Sequence, residues 1–151
     1  MPNNEGKEEV SLTGSQIAEI VKQEKIRMKE LSRQASQMRA IINEISNSIQ
    51  AIKAVQGKKD LQIIVPLGAG ISLDAKVESA EKLKTTLPGN IVVEKTPKEA
   101  IEMLEGQTNA IKREIELLKG ELLQSSNKIK EFSKIMRLAQ NQFSRQNAQS
   151  K

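Results

Sequence analysis

The chain of 151 residues contains no cysteine, histidine, tryptophan or tyrosine, and its only aromatic residues are two phenylalanines. Without cysteine it has neither disulfides nor thiolate metal ligands. Without histidine it lacks the commonest general base and metal ligand. Apart from unusual Ser–Lys pairs, the remaining residues offer no nucleophile with a base and an orienting partner. We therefore expect no enzyme, no cofactor and no metal site.

Long apolar runs are missing as well. No stretch of the sequence approaches the ~20 apolar residues that a membrane-spanning helix needs. Residues 1–10 (MPNNEGKEEV) lack the apolar region typical of a secretory signal. The sequence therefore predicts a cytoplasmic protein with no membrane partner.

Charge is unevenly distributed along the chain, whose net charge is +5. The excess lies in residues 124–151, where Glu131 is the single acidic residue and the basic residues are Lys128, Lys130, Lys134, Arg137, Arg145 and Lys151. A solvated helix face is the simplest interpretation of this run. A surface for acidic or polyanionic partners is the alternative.

Two apolar repeats with alternating spacings of three and four residues are the strongest feature that is present. We call their positions the seam, and they are Ile17, Val21, Glu24, Met28, Leu31, Ala35, Met38, Ile42, Ile45, Ile49 and Ile52, then Ile101, Leu104, Thr108, Ile111, Ile115, Leu118, Leu122, Ser125, Ile129, Phe132, Met136, Ala139 and Phe143. This spacing is typical of a coiled coil. Because the chain reverses between the repeats, we expect one antiparallel pair of helices. The expected register places Ile17 near Ala139 and brings both chain ends to one free tip.

The helix boundaries follow from capping signals. Thr13 and Gln16 have capping-box spacing, as do Thr96 and Glu99, and Gly57 suits the position after a helix. The predicted segments are a disordered tail at 1–12, a first helix at 13–57, two hairpins at 58–95, a second helix at 96–145 and a disordered tail at 146–151.

The segment between the helices predicts two β-hairpins. Residues 71–78 alternate apolar and polar, which is the period of a half-buried strand. They follow the strand 61–65 and a turn at 66–70, and a second hairpin turns at 87–90, where Pro88 and Gly89 favour a type II turn. Isolated hairpins are marginally stable and leave open edges. We therefore expect this segment to assemble with other chains.

The predicted tip carries more apolar side chains than two paired helices can bury. They are Ile17, Ile20, Val21, Ile135, Met136, Leu138, Ala139 and Phe143, called the tip set below. They either pack against one another or a neighbouring subunit, or form an exposed surface for transient binding. The adaptable side chain of Met136 suits irregular partners.

The order helix, two hairpins, helix, with Val65-Pro66-Leu67-Gly68-Ala69-Gly70 in the first hairpin and Val92-Val93-Glu94-Lys95 before Lys98-Glu99-Ala100-Ile101, resembles the archaeal prefoldin alpha class. The resemblance implies an α+β fold in which a long antiparallel coiled coil carries two hairpins at its base. It implies a hexamer of two alpha and four beta subunits with a β-barrel platform and tentacles. By this resemblance, the residues that form the platform are Ile63, Val65, Leu67, Gly68, Gly70, Ile71, Leu73, Ile91 and Val93, called the hairpin set below.

The resemblance also implies a function. It is that of an ATP-independent chaperone subunit, which holds unfolded proteins at the tips and passes them to a chaperonin. The chain departs from the family pattern at the turn 87–90 and in its basic tip. The alternative is a structural coiled-coil adaptor that binds one native partner. We do not expect a nucleic-acid partner, since aromatic platforms for stacking bases are lacking.

Overall fold

The computed structural model describes residues 12–149, with side chains as far as residue 145. Along the chain, two long helices precede and follow two hairpins. The order is α1 (Gly14–Val55), β1 (Lys59–Gly68), β2 (Ile71–Ser79), β3 (Leu83–Leu87), β4 (Ile91–Lys95) and α2 (Pro97–Gln149). The predicted fold of two long helices and two small antiparallel hairpins is therefore confirmed.

Both helices begin with reciprocal hydrogen bonds. The backbone N–H of Thr13 donates to Gln16 Oε1 at 2.8 Å, and the Gln16 N–H donates to Thr13 Oγ1 at 3.4 Å. At α2, the Thr96 N–H donates to Glu99 Oε2 at 2.8 Å, and the Glu99 N–H donates to Thr96 Oγ1 at 3.3 Å. Each capping box satisfies N–H groups that the first helical turn leaves without partners.

The helix ends differ in how well the sequence predicts them. Gly57 follows α1 with a φ of 73°, the left-handed conformation that glycine adopts without strain. In contrast, α2 continues to Gln149, past the predicted end at 145, because no glycine or proline follows Gly120. Residues 146–149 of the predicted tail are thus helical. The rest of both predicted tails, 1–11 and 150–151, lies outside the described residues.

The chain divides into two units, one formed by residues up to Ala35 and from Glu116 onwards, the other by Ser36–Ile115. In the first unit, the seam residues of α1 and α2 pack together. Leu31, Ala35 and Leu118 are buried there, and Ser125 is only 1% exposed. The predicted seam therefore forms the core of this unit.

Two interhelical ion pairs show the register of the first unit. Arg27 lies 2.9 Å from Glu121, and Lys128 lies 3.2 Å from Glu24. Residue numbers rise on one helix as they fall on the other, so the pair is antiparallel. Two turns before Glu24 on α1 lies Ile17, and two turns after Lys128 on α2 lies Ile135. Counted back in the same way from Arg27 and Glu121, Ile17 lies opposite residue 131, so the two pairs place it one to two turns short of the predicted partner Ala139.

The second unit holds the hairpins and the helix ends that flank them. Its buried residues are Ile45, Ala80, Pro97, Ala100 and Ile115. The seam threonine, Thr108, satisfies its hydroxyl within its own helix by donating to the Leu104 carbonyl at 3.0 Å. The hairpins form two separate two-stranded sheets, β1 with β2 and β3 with β4. Neither sheet gains a third strand among residues 12–149, so each keeps two open edges.

The first hairpin turn is tighter than predicted. Pro66 pairs with Ser72 inside the ladder, and Gly68 pairs with Ile71 after a register shift. The turn is made at Gly68, Ala69 and Gly70, which have φ values of 113°, 48° and 79°. Proline is tolerated in an edge strand because its missing N–H need not face the partner. In the second hairpin Gly89 has the positive φ, 84°, that a type II turn requires, and Asn90 is positive as well.

Candidate functional site

The end of α2 in the first unit exposes large apolar side chains. Ile135 is 48% exposed, Leu138 55% and Phe143 69%, and Ala139 is exposed too. Ile135 and Leu138 lie outside the seam. Phe143 lies in the seam, but α1 begins only at Gly14, and no described turn of α1 lies opposite it. These side chains form an apolar surface beside the helix pair.

The other members of the tip set are less accessible. Ile17 is 7% exposed, and Ile20, Val21 and Met136 are half-buried. Ile17 was predicted to contact a bound chain, but its burial makes it part of the helix packing. The available surface therefore comes mainly from α2.

A groove on α1 was missed from the sequence. Leu12 and Ile20 line it together with Gln16, Glu19, Gln23 and Glu24, and Leu12 is 41% exposed. The position of Leu12, just before the capping residue Thr13, is where a hydrophobic residue often packs back on the first helical turns. That position was the signal in the sequence.

The seam of this unit contains an ionised carboxylate. The neighbouring Ser125 hydroxyl and then the Lys128 ammonium lower the pKa of Glu24. Glu24 Oε1 accepts from Lys128 Nζ at 3.2 Å. Glu24 Oε2 is buried without a hydrogen bond of standard geometry, so the Ser125 hydroxyl is near and not fully engaged. The charged pair fixes the alignment of the helices, as polar seam residues do in coiled coils.

The strand residues of the hairpin set in the first hairpin share one face of β1 and β2. Ile63 pairs with Ala75, and Val65 pairs with Leu73. Since paired residues point to the same side of a sheet, this face is apolar. Leu67 is 62% exposed and Ile71 63%. Gly68 and Gly70 serve the turn through their positive φ angles.

The second hairpin is apolar on both faces near its turn. Ile91 pairs with Leu87, and Val93 pairs with Thr85 on the same face. Ile91 and Val92 are each 59% exposed, and in the first hairpin Ile64 is 71% exposed. Val92 and Ile64 point to the faces opposite the predicted ones, and the pattern of a single face of each strand does not reveal them.

Other classes of site find no support in the described part of the chain. Neither α1 nor α2, as described, has an apolar stretch long enough to cross a bilayer. Among residues 12–145, no cluster of three or more acidic side chains is placed to hold a metal ion.

Comparison with known proteins identifies the family. The sequence profile described as prefoldin subunit matches residues 25–142. The chain belongs to this family. A prefoldin subunit alpha of Thermofilum pendens is 28% identical over 109 residues, covering 72% of this chain and 84% of the relative. One of Methanococcoides burtonii is 30% identical over 82 residues, covering 54% and 58%. The predicted resemblance to archaeal prefoldin alpha subunits is thereby confirmed.

A solved prefoldin structure shares the fold. A chain of filamentous PFD from Methanocaldococcus jannaschii, determined by cryo-EM, matches with a TM-score of 0.68 at 20% identity, over 75% of this chain and 94% of that one. Membership of the prefoldin family supports a chaperone-type function rather than an enzymatic one, and association with other prefoldin subunits.

Proposed function

We propose that this prefoldin subunit holds unfolded polypeptides, without ATP, on the apolar surface at the end of α2. The observation that carries the proposal is the exposure of Ile135, Leu138 and Phe143, at 48%, 55% and 69%. The free energy of the system falls when a non-native chain covers exposed apolar side chains and removes them from water. A non-native chain exposes the apolar segments that such a surface accepts.

The binding is weak at each subunit and strong in the assembly. A few partly exposed side chains bury little area, so one contact dissociates readily. Several subunits that engage the same polypeptide raise the affinity through effective concentration. Release then needs only a tighter competitor, and we propose that a chaperonin takes this part in the cytoplasm.

The hairpin set provides the assembly surface in this proposal. The apolar face around Val65 and Leu73 and the open edges of both sheets pair with prefoldin beta subunits. Two alpha and four beta chains form a hexamer around a β-barrel platform. The open edges support the proposal, since hairpins of two strands are only marginally stable alone.

The holding function is tested with the variant I135S/L138S/F143S in complex with a beta subunit. The matched control is L117S/L123S, because Leu117 and Leu123 are also exposed on α2, at 71% and 62%. Light scattering of a denatured enzyme, diluted into buffer with each complex, measures the suppression of aggregation. We expect half-suppression by the tip variant to need about tenfold more complex, since each lost contact weakens burial.

The control complex should suppress aggregation as the wild type does. Equal suppression by the tip variant and the wild type would contradict the proposal. Stoichiometric binding of one native protein, with no preference for unfolded chains, would support the adaptor function instead.

A further inference from the structure

Each helix of the first unit carries a stripe of basic residues. On α1, Lys22, Lys25 and Lys29 recur at intervals of three and four residues, and so do Lys130, Lys134 and Arg137 on α2. Residues with this spacing share one face of a helix. All six side chains are exposed.

The two stripes lie on the same side of the helix pair. The ion pair between Arg27 and Glu121 marks one flank of the seam. On α1, Lys25 follows the seam residue Glu24, whereas Arg27 precedes a seam residue. On α2, Lys130 follows a seam residue, whereas Glu121 precedes one. Both stripes therefore occupy the flank opposite the ion pairs, called the basic flank below.

The basic flank is not neutralised by neighbouring carboxylates. Within residues 12–145, none of its six cations lies within ion-pair distance of an acidic side chain. Of the six carboxylates in the described part of this unit, those of Glu24, Glu30, Glu116 and Glu121 pair with other cations. Glu19 and Glu131 remain, so the six cations of the flank outnumber the nearby carboxylates left for them. The flank therefore presents a positive potential to any approaching chain.

The basic flank adjoins the apolar surface. Lys134 and Leu138 are four residues apart on α2, and Lys134 and Arg137 are three apart, so these side chains are neighbours. Exposed aromatic side chains suited to stacking on bases are scarce, with Phe143 exposed and Phe132 half-buried. A nucleic acid is bound through its phosphates and by stacking of its bases on aromatic side chains. Cations mixed with aliphatic side chains, and with few aromatic ones, therefore fit a polypeptide better.

We propose that the basic flank makes this subunit select unfolded polypeptides in which acidic residues adjoin apolar ones. The proposal rests on the holding function proposed above and names its substrate class. The apolar surface covers the aliphatic side chains of the client, and the flank pairs with its carboxylates. Because exposed pairs are individually weak, several of them together produce the selectivity.

The test uses two labelled peptides of equal length and identical Leu and Phe content, one with Asp and Glu at the remaining positions and one with Ser. Fluorescence anisotropy measures the dissociation constant of each peptide for the assembled complex. At about 0.1 M salt we expect the acidic peptide to bind roughly tenfold more tightly than the Ser peptide. The difference should vanish near 1 M salt, where the Debye length is about 3 Å.

The variant K22Q/K25Q/K130Q/R137Q should bind both peptides alike, with the affinity of the Ser peptide unchanged. The control K53Q/K84Q/K112Q/R113Q removes as many exposed cations from the second unit and should keep the preference. Far-ultraviolet circular dichroism confirms that both variants fold.

Equal binding of the two peptides by the wild type would overturn the selectivity, as would tighter binding of a DNA duplex than of the acidic peptide. Failure of the Ser peptide to bind the wild type would instead count against the holding function. The two proposals therefore fail through different measurements.

Discussion

Neighbouring residues of α2 have opposite environments in this protein. Leu118 lies in the seam and is 8% exposed, whereas Leu117 points outward and is 71% exposed. Ala35 and Ser125, at 2% and 1%, are small residues where the helices of the first unit pack closely. The contribution of a leucine to stability therefore depends on its position within the helical turn.

This contrast gives a prediction for a pair of variants. Leu118→Ala should lower the free energy of unfolding by about 2–5 kcal/mol, since it removes a buried side chain and leaves a cavity. Leu117→Ala should change it by less than about 0.5 kcal/mol. Urea denaturation followed by circular dichroism measures both. A similar loss in the two variants would contradict the seam assignment.

At the scale of the residue, the sequence predicts the seam positions well but leaves open which side chains of the tip set are exposed. Every seam position on α1 is buried or half-buried, whereas Ala139 and Phe143 at the end of α2 are exposed. Periodicity reports which face of a helix is apolar. It leaves open whether a tip-set residue such as Phe143 packs against a neighbour or is exposed, and the structure shows Phe143 exposed.

At the scale of the elements, carboxylates reinforce the helices. The Thr96 backbone N–H and then its hydroxyl lower the pKa of Glu99 at the start of α2. On α1, Arg33 first and Gln34 second lower the pKa of Glu30 to about 2 from an ordinary value of 4.5. Together with Glu24 in the seam, these groups are stabilised in their ionised form.

The lowered pKa values predict a loss of stability in acid. A carboxyl group with a lower pKa in the folded chain contributes its full stabilisation above the unfolded value of 4.5 and loses it as the pH falls through the folded value. The midpoint of thermal unfolding should therefore be constant down to about pH 5 and fall below it. The variant E24Q/E30Q/E99Q should show a shallower fall, and an unchanged slope would exclude these groups as the cause.

The strands are predicted better than their turns. Alternation gives the paired strands of β1 and β2, but the sequence places Pro66 in a turn, and the structure pairs it with Ser72. Whether a proline interrupts a ladder depends on which side its missing N–H would face. That orientation is set by the register with the partner strand and is not encoded at Pro66 itself.

For the whole molecule, the proposed assembly depends on the exposed hairpins. The variant V65K/L73K places two charges on the apolar face of the first hairpin, where these residues are paired. Burying lysine in an interface is unfavourable unless it is paired. We expect the mass measured by light scattering after gel filtration to fall to that of free chains.

The matched control for this variant is Q62K/S72K, which adds lysines on the opposite, more polar face. Its complex should keep the mass of the wild-type assembly, and the helical content of both variants should match that of the wild type. If V65K/L73K retains the full mass, the apolar face of this hairpin is not the assembly surface.

The order of segments along the chain also bears on how the protein is made. Lys128 and its partner Glu24 are separated by 104 positions, whereas each hairpin pairs strands that are adjacent in sequence. Contacts between distant segments form late, because a long loop must close first. During translation, therefore, both hairpins leave the ribosome before α2 is available to cover the apolar stripe of α1. A nascent chain of this subunit then exposes the kind of surface that the finished protein is proposed to shield in others.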